Sequence, residues 1–184
     1  MKKQKGFSLI EILAAITIGM VILVSAYELF DLASIAWSKT NARFEVRQNA
    51  RIAIERMSRD IRQSVKIINN IPETKDTPAN EIKFQDGHTI NKIQYITYSL
   101  DQENLIKKYS HYSFISDPLT WVFSDTKDGS GNSPSETTDS SEIVALNIKS
   151  LDFWGSDAIN ISLLVSKGNY QEDYETTVMS RNIL

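Results

Sequence analysis

The chain has 184 residues, no cysteine and a formal net charge of -3. The absence of cysteine excludes disulfides, thiolate metal sites and thiol nucleophiles. The small net charge conceals a strong segregation: residues 39–66 contain eight basic and three acidic residues, and residues 67–184 contain nine basic and seventeen acidic residues. The acidic outer region argues against direct nucleic-acid binding, which requires a basic footprint.

The first element in chain order is an apolar segment that begins close to the N-terminus. Lys2, Lys3 and Lys5 precede the segment Phe7–Tyr27, in which Glu11 is the only charged residue. At about 1.5 Å per residue, a helix of this length is roughly 30 Å long, which matches the hydrocarbon core of a bilayer. The lysines before the segment predict that the N-terminus is cytoplasmic and that the remainder lies outside the cytoplasm.

Two other interpretations of this segment stay open. Val24-Ser25-Ala26 fits the small-residue cleavage site of a secretory signal peptide, which would leave a secreted domain that begins at Tyr27. A plain single-pass anchor is the second alternative. The apolar run is longer than the core of about 7–15 residues found in signal peptides, and Glu11 interrupts its first turns, so both features argue against the signal peptide.

Glu11 is a candidate functional residue, because a carboxylate inside an apolar membrane segment costs several kcal/mol unless it is paired. The simpler interpretation is that Glu11 lies near the membrane interface and reaches water. The stretch that contains it, Lys5-Gly6-Phe7-Ser8-Leu9-Ile10-Glu11, resembles the class III signal of type IV prepilins and type II secretion pseudopilins. In that family a membrane aspartyl peptidase cuts after the glycine and methylates the new N-terminal residue.

The resemblance implies processing and assembly roles for three residues. Gly6 would be the last residue of the leader, and Phe7 would be the N-methylated first residue of the mature chain. Glu11 would pair with the freed amino group of Phe7 on a neighbouring subunit, which neutralises two buried charges together. The sequence departs from many major pilins of this family, because no proline occurs before Pro72.

The helical pattern continues after residue 30, with apolar residues on one face only. The apolar positions at helical spacing are Val46, Ala50, Ile54, Met57, Ile61, Val65 and Ile68. No glycine or proline interrupts residues 20–71, and Asn69–Pro72 supplies a stop. We therefore predict a leader at residues 1–6, a transmembrane and assembly helix over residues 7–30, and an amphipathic continuation over residues 31–71.

The opposite face of the amphipathic part is rich in arginine. Its charged residues are Arg43, Arg47, Arg51, Glu55, Arg56, Arg59, Asp60 and Arg62. The i,i+4 spacing predicts that Glu55 pairs with Arg59 and, in the same way, that Arg56 pairs with Asp60. A solvated face is one interpretation; a recognition surface for an acidic neighbouring subunit or for anionic lipid is the other. Trp37 fits an anchor at the membrane interface, and packing on the globular domain is the alternative.

Beyond Pro72 the apolar residues alternate with period two, which predicts a β-rich head over residues 72–184. Two strand pairs are predicted: Ile82–Phe84 with His88–Ile90, and a hairpin over residues 92–110. Three single strands are predicted at residues 143–154, 158–167 and 174–181. Residues 113–123 are either a strand or an irregular connection. Residues 125–142 are almost free of apolar side chains and predict a mobile surface loop. Its acidic residues do not have the spacing of an EF-hand calcium loop. The predicted fold class is α+β, with the long helix packed on an antiparallel sheet as in pilins.

Two stretches of the head carry a weaker resemblance. Ile93–Leu100 followed by Asn104–Lys108 is similar to a hairpin of the J-type minor pseudopilins and related minor pilins, and Thr176–Asn182 is similar to their last strand. The resemblance implies a minor subunit that joins other pilins or minor pseudopilins where a filament starts or is capped. It also implies a prepilin peptidase/N-methyltransferase as a processing partner and a place in the bacterial inner (cytoplasmic) membrane.

The sequence contains no recognisable catalytic motif. His88 and His111 lie outside any zinc-binding spacing, and no glycine-rich phosphate loop or nucleophile elbow occurs. We therefore expect neither an enzyme nor a bound cofactor or metal. The alternative function is a single-pass envelope protein whose head binds a partner without entering a filament.

Overall fold

The computed structural model of the protein describes residues 8–88 and 92–180. The chain divides into two compact units between Ala42 and Arg43, which we call the N-terminal unit and the head. Helix α1 spans Leu9–Gln63, and antiparallel strands follow it, so the predicted α+β class is confirmed. The strands are β1 (Lys66–Ile67), β2 (Ile82–Gln85), β3 (Tyr95–Asp101), β4 (Asn104–Phe114), β5 (Asp117–Val122), β6 (Ser135–Ala145), β7 (Ile148–Trp154), β8 (Ala158–Lys167) and β9 (Tyr170–Met179).

The strands form two antiparallel sheets. In the first sheet the order is β1-β2-β3-β4-β5, and β6 also pairs with β4. β3 pairs with residues 104–110 of β4 and β6 with residues 105–113, so β3 and β6 occupy opposite edges of β4. β5 pairs with the end of β4 that extends past β3. The second sheet has the order β7-β8-β9.

Short turns connect the strands of two hairpins. β3 and β4 are joined through Gln102, whose φ of 56° places it in the left-handed region that such tight turns require. This pairing confirms the predicted hairpin over residues 92–110. β8 and β9 are joined at Gly168, with φ of 59°, and β9 therefore begins at Tyr170, four residues before the predicted start of the last strand.

The core of the head lies between the apolar stripe of α1 and both sheets. Val46, Ala50, Met57 and Ile61 of α1 are buried, so the predicted stripe is confirmed at these four positions. Ile54, also predicted, is only partly buried, and Ala53, which was not predicted, is fully buried. The strands bury Ile82, Phe84, Ile96, Tyr98, Leu105, Ala145, Ile148, Leu151, Phe153, Ile159, Ile161, Leu163, Val165 and Val178 against the stripe. Burial of these side chains is the main force that holds the head together.

The prediction that α1 continues to residue 71 was wrong, because the helix ends at Gln63. Ser64 closes the last turn by donating from its N–H and its hydroxyl to the carbonyl of Ile61, over 3.1 and 2.7 Å. The next residues pair with β2 instead, since the N–H of Val65 donates to the carbonyl of Gln85 over 3.0 Å. The β-branched run after Ser64 favours this extended backbone, so Val65 leaves the helical stripe.

The prediction of a loop over residues 125–142 was wrong for its second half. β6 begins at Ser135 and pairs with β4 along its whole length. Its first nine residues are exposed, so the strand shows no alternation of polar and apolar side chains in the sequence. Ion pairs fix it at both ends: Glu136 contacts Lys83 at 2.5 Å, and Glu142 contacts Arg56 at 3.3 Å.

Other strand predictions were partly correct. β6 and β7 are separate strands, whereas residues 143–154 were predicted as one; Asn147, with φ of 64°, lies at the break. Residues 113–123 contain β5, and β8 matches its predicted bounds. The predicted pairing of His88–Ile90 with β2 falls partly outside the described residues.

A buried ion pair joins α1 to β4. The ammonium of Lys107 lies 2.6 Å from a carboxylate oxygen of Asp60, and the hydroxyl of Tyr98 donates to the same oxygen over 2.6 Å. Burial works to lower the pKa of Lys107, but the hydrogen bonds to Asp60 and Tyr109 outweigh it and raise that pKa. Burial, followed by the bond to Asp60, raises the pKa of Tyr98. These groups fix which turn of the helix meets the sheet.

This arrangement corrects the two predicted i,i+4 pairs on α1. Asp60 turns to Lys107 rather than Arg56, and Glu55 accepts a bond from Arg51 over 2.7 Å rather than from Arg59. Asp60 exchanges a local partner for Lys107, which the packed strands hold in place, and an exposed helix pair contributes only about 0.2–0.5 kcal/mol. Glu55 exchanges one i,i+4 partner for the other.

Candidate functional site

The first turn of α1 is closed by a reciprocal pair of hydrogen bonds. The N–H of Ser8 donates to a carboxylate oxygen of Glu11 over 2.9 Å, and the N–H of Glu11 lies 3.4 Å from the hydroxyl oxygen of Ser8. This S-x-x-E arrangement is a capping box, which satisfies backbone donors that the helix leaves free. The negative charge of Glu11 also complements the positive end of the helix dipole.

The capping role of Ser8 was not predicted from the sequence, although the S-x-x-E signal is present in it. The geometry gives the carboxylate of Glu11 a partner within its own helix. Gly6 and Phe7, the two residues of the predicted cleavage junction, lie outside the described residues. The processing roles of these two residues and the intersubunit role of Glu11 stay predictions.

Beyond the capping box, the N-terminal unit presents an apolar surface. Its exposed large apolar residues before Tyr27 are Leu9, Ile10, Ile12, Leu13, Ile16, Ile18, Met20, Val21, Ile22, Leu23 and Val24. The hydroxyls in this segment bond to the helix itself: Thr17 donates to the carbonyl of Ala14 and Ser25 to that of Val21, each over 2.9 Å. Hydroxyl groups that donate to backbone carbonyls of their own helix need no hydrogen bond from water, so they are compatible with a lipid environment.

Among the described residues, α1 is the one helix that is long and apolar enough to cross a membrane. Length and composition are the basis of this finding. The bounds of the transmembrane part, residues 7–30, stay a prediction. Trp37, the predicted interface anchor, is exposed in this unit.

Comparison with known proteins adds a finding for the same segment. Residues 1–27 match the family model described as the prokaryotic N-terminal methylation motif. The chain has a prepilin-type N-terminus. The match covers the leader and the apolar segment and ends well before the head, so it supports a membrane-anchored protein of the pilin and pseudopilin kind without assigning it to one machine. No curated protein matches the chain.

In the head, the residues that could carry chemistry are engaged in local structure. The ring of His111 lies 2.7 Å from Asp139 and stacks on Trp121 at 4.4 Å between ring centroids. The backbone N–H of His88 donates to the side chain of Asp86 over 3.0 Å. Within the part of the chain that the structure describes, no group of three His, Asp or Glu side chains is placed to hold a metal ion.

The acidic loop before β6 has its own local explanation. The carboxylate of Asp128 accepts bonds from the backbone N–H groups of Ser130 and Asn132, each over 2.8 Å, and from the side-chain amide of Asn132 over 2.9 Å. The Asn132 side chain makes the largest contribution to lowering the pKa of Asp128. This carboxylate therefore stabilises the turn.

Proposed function

We propose that this protein is a structural minor subunit of a type IV pilus-like filament or a type II secretion pseudopilus. It assembles through α1 and acts where the filament starts or at its tip. The match of residues 1–27 to the N-terminal methylation motif is the observation that carries this proposal. The apolar, unburied surface of the N-terminal unit supports it, because such a surface requires lipid or other subunits around it.

Processing would occur at the junction of Gly6 and Phe7. A prepilin peptidase/N-methyltransferase in the inner membrane would cut after Gly6 and methylate Phe7. The N-terminus would lie on the cytoplasmic side and the head outside the cytoplasm, as the lysines of the leader predict.

Cleavage would create the partner that Glu11 needs for assembly. Before assembly, the carboxylate of Glu11 is held by the N–H of Ser8. In a packed filament the amino group of Phe7 on a neighbouring subunit would approach this carboxylate, and the two charges would neutralise each other where water is scarce. A subunit without the carboxylate would bury an unpaired ammonium, which is unfavourable by several kcal/mol.

The assignment to a minor subunit rests on the J-type resemblance of the β3–β4 hairpin and of the last strand. The other pilins or minor pseudopilins of the same filament would be its partners. The alternative is an envelope-anchored binding protein that enters no filament. Processing distinguishes the two, since an ordinary anchor keeps its leader.

The first test is the intact mass and N-terminal sequence of the membrane-extracted chain, produced with and without a prepilin peptidase. We expect a chain that begins at N-methylated Phe7 with the peptidase and one that begins at Met1 without it. In a Gly6→Val variant, the larger side chain at the junction should prevent cleavage. A chain that begins at Tyr27, or at Met1 in the presence of the peptidase, would contradict the proposal.

The second test separates processing from assembly. A Glu11→Val variant should insert into the membrane and be cleaved normally, but it should enter sheared filaments poorly compared with the unmodified chain. Normal incorporation of this variant into filaments would contradict the proposed pairing of Glu11 with Phe7.

A further inference from the structure

The arginines on α1 in the head are of two kinds. Four of the six described arginines have partners within the head: Arg43 lies over the ring of Tyr170, Arg47 contacts Glu172, Arg51 contacts Glu55 and Arg56 contacts Glu142. Arg59 and Arg62 have no carboxylate partner among the described residues. Both are exposed. The nearby acids of α1 are already paired, Glu55 with Arg51 and Asp60 with Lys107.

These two arginines line an open groove between the last turns of α1 and β9. The groove has a volume of about 470 Å³, and its lining residues are Ile54, Glu55, Ser58, Arg59, Arg62, Gln63 and Thr176. Arg59 and Arg62 are three residues apart on the helix, so their side chains leave the same face. The single acid of the lining, Glu55, is neutralised by Arg51 at 2.7 Å.

The lining suits a carboxylate. Each guanidinium presents parallel N–H donors that match the two oxygens of a carboxylate, and the hydroxyls of Ser58 and Thr176 add uncharged donors. Ile54 offers an apolar wall for the methylene groups of an aspartate or glutamate side chain. The volume is in the range of small-ligand sites, so the groove accepts a side chain rather than a second folded surface.

The charge of the head disfavours a broad anionic surface such as a membrane. Residues 67–184 contain nine basic and seventeen acidic residues. An extended layer of lipid phosphates that reached Arg59 would also meet this excess of carboxylates. A projecting acidic side chain avoids them.

We propose that the groove of Arg59 and Arg62 is a docking site for an acidic side chain on a projecting segment of a partner protein. The identification of that partner as a neighbouring filament subunit rests on the proposed function. Docking there would fix how one head is placed against the next, in addition to the contacts of the apolar helices.

The test uses the full chain in a neutral detergent and a fluorescein-labelled oligoglutamate peptide as the probe. Fluorescence anisotropy should show saturable binding that weakens as sodium chloride is raised from about 0.05 M to about 0.5 M. In an R59Q/R62Q variant the affinity should fall by about tenfold or more, because two charged hydrogen-bond donors are lost. A K108Q/K127Q variant, which loses the same number of positive charges elsewhere on the head, should bind as the unmodified chain does.

Equal binding by the R59Q/R62Q and K108Q/K127Q variants would overturn the proposal, since the attraction would then follow net charge and not the groove. Displacement of the probe by glycerol 3-phosphate at lower concentration than by N-acetylglutamate would assign the groove to a phosphate and would also overturn it. The assay requires neither cleavage nor a filament. Its failure and the failure of N-terminal processing are therefore separate results.

Discussion

The N-terminal unit and the head differ in where their side chains find partners. None of residues 8–42 is buried within the chain, although most of the large side chains among them are apolar. In the head, apolar side chains from α1 and both sheets are almost fully buried against one another. The head therefore has its own hydrophobic core, whereas the apolar side chains of the N-terminal unit can be covered only by molecules outside the chain.

Helix α1 shows this difference within a single element. Its first half is apolar all round, which is typical of a helix in lipid or in a bundle. Its second half is apolar on one stripe and charged elsewhere, which is typical of a helix packed on a sheet. Equivalent substitutions in the two halves should therefore have different consequences for the stability of the head.

The largest difference in stability is expected between substitutions of two methionines of α1. Met57 is 0% exposed in the head, and Met20 is 62% exposed in the N-terminal unit. Met57→Ala should lower the free energy of unfolding of the head by about 3 kcal/mol, because it removes buried contacts and leaves a cavity. Met20→Ala should leave that free energy unchanged. Denaturant unfolding of the full chain in neutral detergent, followed by the circular dichroism of the β-sheets, measures both.

Met20→Ala is the matched control, since it makes the same chemical change in the same helix. An equal loss of stability in the two variants would show that the N-terminal unit contributes to the core of the head. An unchanged stability in Met57→Ala would show that the stripe of α1 is not part of that core.

The features that the sequence predicted correctly have local causes. The hairpin of β3 and β4 follows from alternation on both sides of a polar turn at Gln102. The stripe at Val46, Ala50, Met57 and Ile61 follows from helical spacing. The N-terminal segment is also a local motif, and for that reason the family model and the sequence argument coincide on residues 1–27. The roles of Gly6, Phe7 and Glu11 within that segment stay predictions.

The features that it missed depend on partners that are distant in the chain. Val65 fits the helical stripe, but hydrogen bonding to β2 holds its backbone extended. β6 has polar side chains on both faces, so its pairing with β4 leaves no periodic signal. The ion pair of Asp60 with Lys107 requires the sheet to be in place. These are tertiary effects that override local spacing.

Two glycines give a second comparison with a smaller effect. Gly155 has φ of 122° at the turn between β7 and β8, and a Cβ there would clash with the carbonyl oxygen of Ala158. Gly155→Ala should destabilise the head by about 2 kcal/mol, because the backbone conformation is strained for any residue with a side chain. Gly19 lies within α1, and no atom lies within 4 Å of the position of its Cβ.

Gly19→Ala should not affect unfolding of the head, and it should raise the helix content of the N-terminal unit, since alanine favours a helix over glycine by up to about 1 kcal/mol. Thermal unfolding of both variants checks the pair. A stable Gly155→Ala variant would mean that this turn can relax, and a loss of head stability in Gly19→Ala would break the division between the two regions.

The smallest expected effect is a loss of thermal stability at acid pH, which should be caused by a carboxylate of the head. Glu172 accepts hydrogen bonds from the hydroxyls of Tyr170 and Tyr174 over 2.7 and 3.0 Å and contacts Arg47. The bond from Tyr170 contributes most to lowering the pKa of Glu172 below its ordinary value of 4.5, and the bond to Glu172, after burial, helps to raise the pKa of Tyr174 to about 12.

A carboxylate with a lowered pKa stabilises the fold above its unfolded pKa, and this contribution is lost as the pH falls through the folded value. For Glu172 the loss therefore begins below pH 4.5. Glu172→Gln removes the titrating group, so the Tm of this variant should fall less than that of the unmodified chain between about pH 6 and about pH 3. Glu73→Gln is the control, because Glu73 is exposed and has no ion-pair partner among the described residues. If Glu172→Gln and the unmodified chain showed the same loss of Tm in acid, the surface cluster on β9 would not be a source of acid sensitivity. The pair of Glu136 with Lys83, in which the pKa of Glu136 is also lowered, would then be the one to examine.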